Sequence, residues 1–596
     1  MSKALSLLTH RGPDGEGSFF ENSSGLMHKR LSIIDLAGGG EPIFSEDKRY
    51  VLVFNGEIYN YKEIRRELEK KGHVFSSNTD CEVIVHLAQD QSPASYINLL
   101  NGDFAFIIYD RFEKKFTVAR DRFGIKPMYY CESSGGYIFS SEIKPLLLLR
   151  KQRQLDGTAV KTFITLRYCP TDSTLIEGIK KVPPAHYMII NGNSFNSYNY
   201  WTPKYEKTGC SFEDSAVFFR ELFLDAVKIR LQSDVPVGLF LSGGIDSASV
   251  LGGVARSGAK LATYTVCFGS HIDELKKARE LSRQFGVSNE AVSVERNAYL
   301  RLSEVVRTFD NPIGDVICLP TFLLAERAKK DVKVILTGEG ADEYLGGYIH
   351  HKALLYGRKL KDLVPKKLIG IVPEFAFRSI MPYVEKPKSG LRDRIERFYE
   401  VEGLRDEYLV FSELFLPGES ILTVQDNPLL NSAPGHLRGL SAITEMDRLN
   451  WLEAYTLNKQ DGLLMANSVE GRVPFLDHRL YEFAAGVADN HMITPRKVKI
   501  LLRRAMTGIV PHDNLSQKKQ SFYLPAYRVF DADFEAYVRD TVSSARLAET
   551  GFFDPRRVDA LLDDYFREPD LAREKKVMCL LIFCIWHMEI FRGRFI

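Results

Sequence analysis

The chain has 596 residues, 45% hydrophobic and 26% charged, with a formal charge of +2 from 79 basic and 77 acidic side chains. That length allows about two to four domains of an ordinary soluble globular protein. The near-balanced charge excludes a polyelectrolyte surface, so small molecules rather than nucleic acid are the expected partners.

Met1 to His10 lacks the sustained apolar core and cleavage site of a secretory signal, and Ala4-Leu5-Ser6-Leu7-Leu8 reads as the tail of a helix. From Leu26 short apolar runs alternate with glycine or polar turns: Leu31 to Ile34, Tyr50 to Phe54, Phe104 to Tyr109 and Lys115 to Ala119. One helix interrupts them, Tyr61 to Lys71, with Ile64 and Leu68 on one face. This predicts a β-rich layered domain with few helices. Tyr200 to Cys210 is a polar connection, which divides the chain into 1–205 and 206–596.

Beyond it, Ser211 with Asp214 forms a capping box for a helix carrying Val217, Phe218, Phe219, Leu222, Phe223, Ala226 and Val227. Val235 to Leu241, Thr263 to Phe268 and Val332 to Leu336 read as buried strands alternating with helices, the pattern of a parallel sheet with its ligand at the carboxyl ends. Phe240-Leu241-Ser242-Gly243-Gly244-Ile245-Asp246-Ser247 is a glycine turn between strand and helix. Free backbone N–H groups converge at such a turn, the helix dipole favours negative charge, and Asp246 can hold Mg²⁺ against a phosphate chain. No Lys follows the glycines, which disfavours γ-phosphoryl transfer. After the third strand comes Thr337-Gly338-Glu339-Gly340-Ala341-Asp342-Glu343, whose three carboxylates repel unless a cation or proton sits among them. Val577 to Ile585 is too short to span a bilayer and reads as a buried helix, so no membrane partner is expected. Eight cysteines, at 81, 131, 169, 210, 267, 318, 579 and 584, show no CxxC spacing and read as reduced thiols of a cytoplasmic protein, with no sign of a disulfide frame or zinc site.

The Ser242 to Ser247 turn resembles the SGGxDS loop of the PP-loop ATP pyrophosphatases, which implies adenylation. His10 to Asp14, Arg30 to Asp35, Phe54 to Asn60, Thr79 to Glu82, Asn101 to Phe106, Ala119 to Pro127 and Ser140 to Lys144 resemble, in order and spacing, the class II glutamine amidotransferase domain fused to asparagine synthetase. That resemblance implies an N-terminal nucleophile-type glutaminase layer joined to a parallel-sheet synthetase domain with extra helices. By motif, Arg30, Asn55, Gly56, Glu57 and Asp80 would hold glutamine: an Arg fork on its carboxylate, a carboxylate on its ammonium, and Asn and Gly donors as an oxyanion hole. Those relatives begin with a nucleophilic cysteine after the initiator Met. This sequence has none before Cys81, and Ser2 is a poor substitute. With the pocket residues retained, a start that lies inside a longer reading frame is expected; as written, the chain should use ammonia.

In the second half the Thr337 loop is similar to the SGEGxDE loop of asparagine synthetases. Lys459-Gln460-Asp461 to Asp477, Lys499 to Arg503 and Lys518 to Phe522 match further elements of that family. The resemblance implies ATP and Mg²⁺ as cofactors. Phe240, Ser242, Gly243, Gly244, Asp246, Ser247, Val266, Thr337 and Gly338 would bind the nucleotide and its diphosphate, and Asp246 and Asp342 the metal. Glu339 would take a proton from ammonia, and Lys499, with Lys497 as competitor, would offset charge on the α-phosphate. The implied reaction is amidation of a carboxylate, aspartate first, through an acyl-adenylate, with nitrogen from glutamine or ammonia, and a homodimer is compatible with it. Val316, Ile317 and Cys318 make the stretch from Asn311 to Thr321 greasier than in such enzymes, which leaves another carboxylate, such as the uronic acid of a nucleotide sugar, as an alternative acceptor; the missing cysteine leaves a ring-closing synthetase of β-lactam or lasso type as a rival, and a non-catalytic relative is the third alternative.

Overall fold

Runs rich in β-branched and aromatic residues, bounded by turn formers, become the strands of the N-terminal half. The structure, a computed structural model, describes all residues except 134, 151–152, 193, 269–271, 365–390, 416–417, 424–427, 518–523, 525 and 594–596. In chain order the strands are β1 (Gly15–Glu21), β2 (Ser24–Arg30), β3 (Ile43–Phe44), β4 (Tyr50–Ile58), β5 (Gly102–Asp110), β6 (Lys115–Arg120), β7 (Tyr129–Ser133), β8 (Gly136–Ser140), β9 (Ile179–Lys181), β10 (His186–Asn191) and β11 (Ser194–Asn199). Six form an antiparallel sheet in the order β11-β10-β6-β5-β4-β3, beside the β1-β2 hairpin and the three-stranded sheet β8-β7-β9. Pairing of β4 with β5 sets Asn55 opposite Ala105 and Gly56 opposite Phe104, at the end where the chain turns toward Asp80.

Two expectations for this half are corrected. Ser2–Ser6 is helical, in keeping with the reading of the run from Ala4, but helices also occupy Val83–Asp90, Pro93–Leu99, Ile143–Leu149 and Gly157–Leu166. Val83 to Ala88 is buried on every side, so that helix shows no polar stripe and its period is hidden. Leu31 to Ile34 is no strand: the Ser32 N–H donates to Asp14 Oδ2 at 2.8 Å and Arg30 Nη2 donates to the Ile34 and Asp35 carbonyls. Side chains, not a ladder, satisfy that backbone.

The second half contributes β12 (Val237–Phe240), β13 (Ala262–Cys267), β14 (Asn289–Ser293), β15 (Val334–Leu336) and β16 (Glu470–Arg472), all parallel, in the order β14-β13-β12-β15-β16. Because β12 and β15 are neighbours, the Ser242 and Thr337 loops leave the sheet side by side. The helix Phe212–Ile229 starts at the expected cap, where Ser211 Oγ accepts from the Asp214 N–H. Its buried stripe is Phe219, Phe223, Ala226 and Val227, whereas Val217 and Phe218 face outward and Phe218 packs on Phe483. Val577 to Ile585 lies within the buried helix Leu571–Trp586, and no helix among the described residues is long and apolar enough to cross a membrane.

The halves share their interiors. One buried cluster joins Phe163 and Tyr168 to Leu319, Leu581 and Trp586; another joins Phe106 and Phe123 to Phe223, Leu239 and Phe475.

Candidate active site

A cavity of about 250 Å³ opens at the carboxyl ends of β12, β13 and β15. Ser242, Gly244, Asp246 and Ser247 line it. Gly243, in the left-handed region at φ 73°, makes the turn, and its carbonyl accepts from Asn514 Nδ2 at 2.8 Å. The Ser242 and Ser247 hydroxyls lie 3.1 Å apart and the Ser242 N–H donates to Ser247 Oγ, so the loop is tied to the first turn of the helix Ile245–Arg256. The first N–H groups of that helix have no intrahelical acceptor and face an anion favourably.

From the neighbouring loop come Thr337, Gly338, Glu339 and Asp342. Lys499 Nζ sits between the two loops, 2.6 and 2.7 Å from the Asp246 carboxylate oxygens and 2.6 Å from Asp342 Oδ1. Lys499 is 1% exposed and takes φ 53° at the cap of the helix Ile500–Ala505, a backbone held there by its two carboxylates and the packing around it. A Cβ at Gly347 would collide with Asp342 Oδ1 and Lys499 Cε, so only glycine leaves this ion cluster room. Lys497 is exposed and is not among the lining residues.

The three carboxylates of the Thr337 loop are each compensated differently. Asp342 has Lys499. Glu339 Oε1 lies 3.1 Å from Lys459 Nζ, and although burial works against the Lys459 ammonium, Glu339 holds its pKa above the ordinary value. Glu343 turns away into the protein, where burial, with Asp342 and Glu339 adding to it, pushes its pKa up to about 8; Tyr348 and Thr456 donate to it at 2.9 Å. Two cations and a proton thus relieve the repulsion. Lys459 was not among the expected site residues, although the element that contains it was recognised; its reach into the cavity depends on the path of the helix Asn458–Met465.

Phe240, Tyr264, Val266 and Leu324 give the same cavity an apolar lining. Of the stretch from Asn311 to Thr321, only Thr321 lines the cavity; Val316, Ile317 and Cys318 are buried in the core. Arg503 also lines it and ties the following loop, donating to the Val498, Leu515 and Gln517 carbonyls. The element Lys518 to Phe522 lies outside the described residues.

A second cavity, about 120 Å³, lies in the N-terminal half and brings together Arg30, Asn55, Gly56, Glu57 and Asp80. The Asn55 Nδ2 donor is buried and has no hydrogen-bond partner among the described residues. Gly56, at φ 143°, has no room for a Cβ against the Asp103 carbonyl. Burial pushes Asp80 up to about 6, against the Ile58 N–H that donates to it at 2.6 Å, and raises Glu41 to about 8. Burial likewise raises the Cys81 thiol, with Asp80 and Glu41 adding to it, so Cys81 is a poor nucleophile. Ser2, exposed in the first helix, is not among the lining residues.

The helix Asn458–Met465 touches both cavities, Lys459 lining the first and Met465 the second. Six residues of helix separate them by about 9 Å of rise. Arg472, fully buried at the end of β16, binds Glu57 Oε1 of the second cavity and Glu470 Oε1, each at 2.8 Å, and donates to the Arg230 and Gln232 carbonyls.

The asparagine synthase family profile matches residues 219–588 and the glutamine amidotransferase domain profile residues 1–201. The chain is 32% identical to asparagine synthetase (glutamine-hydrolysing) 1 of Bacillus subtilis (strain 168), over 98% of this chain and 92% of that protein. It is 28% identical to asparagine synthetase (glutamine-hydrolysing) 3 of the same organism, over 94% and 90%. It is also 27% identical to the amidase chry2 of Gibberella zeae, over 98% and 94%.

Proposed function

Because this chain belongs to the glutamine-hydrolysing asparagine synthetase family, a family of carbon–nitrogen ligases that amidate a carboxylate at the expense of ATP, we propose that it converts aspartate to asparagine through an acyl-adenylate. We divide it into a glutaminase part, 1–205, and a synthetase part, 206–596. The observation that carries this reading is the convergence of Asp246 and Asp342, from separate loops, on one ammonium inside one cavity.

Two carboxylates that already share a cation suit a divalent ion, and Asp246 and Asp342 would hold Mg²⁺, which when bound neutralises a diphosphate. The amides at the start of the helix Ile245–Arg256 and the Ser242 and Ser247 hydroxyls would grip the leaving pyrophosphate. Phe240 and Val266 would bound the base. Lys499, freed from its carboxylates, would meet the charge that builds on the α-phosphate. Glu339, beside the Lys459 ammonium, would accept the proton that ammonia loses as it displaces AMP. Thr321 rather than the greasy stretch before it would face the acceptor, which favours aspartate over a bulkier carboxylate. In the N-terminal cavity Arg30 would pair with the glutamine carboxylate, Asp80 with its ammonium, and Asn55 Nδ2 with its amide oxygen. Ammonia would pass along the helix Asn458–Met465. The eight unpaired thiols suit a reducing cytoplasm.

The test is pyrophosphate release with MgATP and ammonium, with and without aspartate. Aspartate-dependent release with formation of asparagine supports the reading. Release without ammonium points to a ring-closing synthetase, and none with any carboxylate to a non-catalytic relative.

A further inference from the structure

We propose that the N-terminal half holds a structural divalent transition-metal ion, Zn²⁺ foremost, between Glu46, His73 and His86. The three residues come from the turn between β3 and β4, the segment after the helix Tyr61–Lys70, and the helix Val83–Asp90. One donor atom from each lies within 4.8 Å of the others. Glu46 Oε1 is 3.4 Å from His86 Nδ1 and 3.7 Å from His73 Nδ1. These separations are too long for hydrogen bonds. Four ligands about 2.0–2.2 Å from a tetrahedral zinc stand about 3.3–3.6 Å apart, which matches them.

The outward-facing ring nitrogens supply an independent argument. His73 Nε2 faces Asp90 Oδ2 at 3.4 Å, and His86 Nε2 faces Glu82 Oε1 at 3.6 Å. A carboxylate behind each ring attracts the proton to Nε2 through space, without a hydrogen bond, on the side of the ring that metal-bound histidines protonate. Both Nδ1 lone pairs then point at a carboxylate oxygen, and three acceptors converge with no hydrogen between them. That is unfavourable unless a cation sits there. His86 is 1% exposed and neither of its nitrogens has a hydrogen-bond partner among the described residues, although buried polar atoms are normally satisfied. The Val74 N–H donates to Glu46 Oε1 at 2.7 Å and fixes that carboxylate.

Two imidazoles and one carboxylate select a borderline-soft ion over Mg²⁺ or Ca²⁺, which prefer all-oxygen shells. The partly exposed side of the cluster leaves a position for water. An ion there would pin the turn at 45–49 to the segment that carries Thr79 and Asp80, the wall of the second cavity.

The full-length protein, stripped with chelator and desalted, is titrated with Zn²⁺ alone and with Co²⁺ alone, and metal retained after desalting is counted. Expected is an equivalent, with the visible bands of four-coordinate cobalt, that persists in wild type and in His350→Ala but is missing in Glu46→Gln and His73→Ala. Asp90→Asn should weaken it by about 10–100-fold. Unchanged ammonia-dependent pyrophosphate release shows that Glu46→Gln and His73→Ala are folded. His350→Ala serves because His350, His351 and Asp447 form the other grouping of this kind among the described residues. No retained ion in wild type, equal retention in Glu46→Gln and His73→Ala, or a loss confined to His350→Ala would overturn the proposal.

Discussion

The two cavities handle carboxylates in opposite ways. In the first, Asp246, Asp342 and Glu339 are part-exposed and each lies within salt-bridge distance of a lysine ammonium. In the second, burial outweighs the nearby donors, and Asp80, Glu41 and Glu57 are all held above the ordinary carboxylate range. Fixed ion pairs suit a site that must exchange one cation for another as a polyanion enters. A desolvated carboxylate suits one that waits for an ammonium-bearing ligand to complete it.

Arg472 tests whether the two are parts of one structure. Truncating it leaves Glu57 without its salt-bridge partner and Glu470 with Lys126 alone, and Arg472→Ala should cost about 3–5 kcal/mol in urea unfolding. A loss under 1 kcal/mol would mean that the cavities are energetically separate. Lys499→Ala sharpens the contrast from the first side: pyrophosphate release should fall by about 10²–10³-fold while isothermal titration with glutamine is unchanged. Equal loss of both would dissolve the distinction. Gly347→Ala, which crowds Asp342 and Lys499 without removing either, should cost about 10²-fold in the same assay and about 1–3 kcal/mol of stability from the forced shift.

The smallest effect concerns pH. The Asp80 carboxyl moves from 3.8 to about 6 on folding, so the native state binds more protons in that window and stability falls as pH rises from about 4 to about 6. Asp80→Asn should remove that fall, a gain of about 1–3 kcal/mol at pH 7.5 that vanishes toward pH 4, seen in urea midpoints at the two pH values. Glutamine binding by wild type should strengthen through pH 6 as Asp80 ionises. A flat profile would mean that Asp80 does not meet the ammonium.

Residues near one another in the chain were readable without the fold. The Ser242 turn, the Thr337 loop and the apolar strands ahead of them follow from glycine, hydroxyl and β-branched residues in short order, and the structure sets those loops on adjacent strands. The repulsion among Glu339, Asp342 and Glu343 was also visible, because three charges within five residues need no tertiary information. The partners that relieve it were less visible. Lys459 lies 120 positions from Glu339 and Lys499 lies 253 from Asp246. Short, wholly buried helices such as Val83–Asp90 escaped detection because periodicity is a signal only where one side meets water.

Sequence alone determined which side chains are on hand: a glycine and hydroxyl turn at Ser242 to Ser247, a carboxylate loop at Glu339 to Glu343, and Arg30, Asn55, Glu57 and Asp80 in the N-terminal half. Tertiary structure decided which charges meet. Arg472 tied to Glu57, and Glu46 converging with His73 and His86, depend on chain segments brought together by the shared cores. The reason is physical: local patterns record backbone conformation and burial, while the energy of a charge is set by neighbours that the linear order does not name.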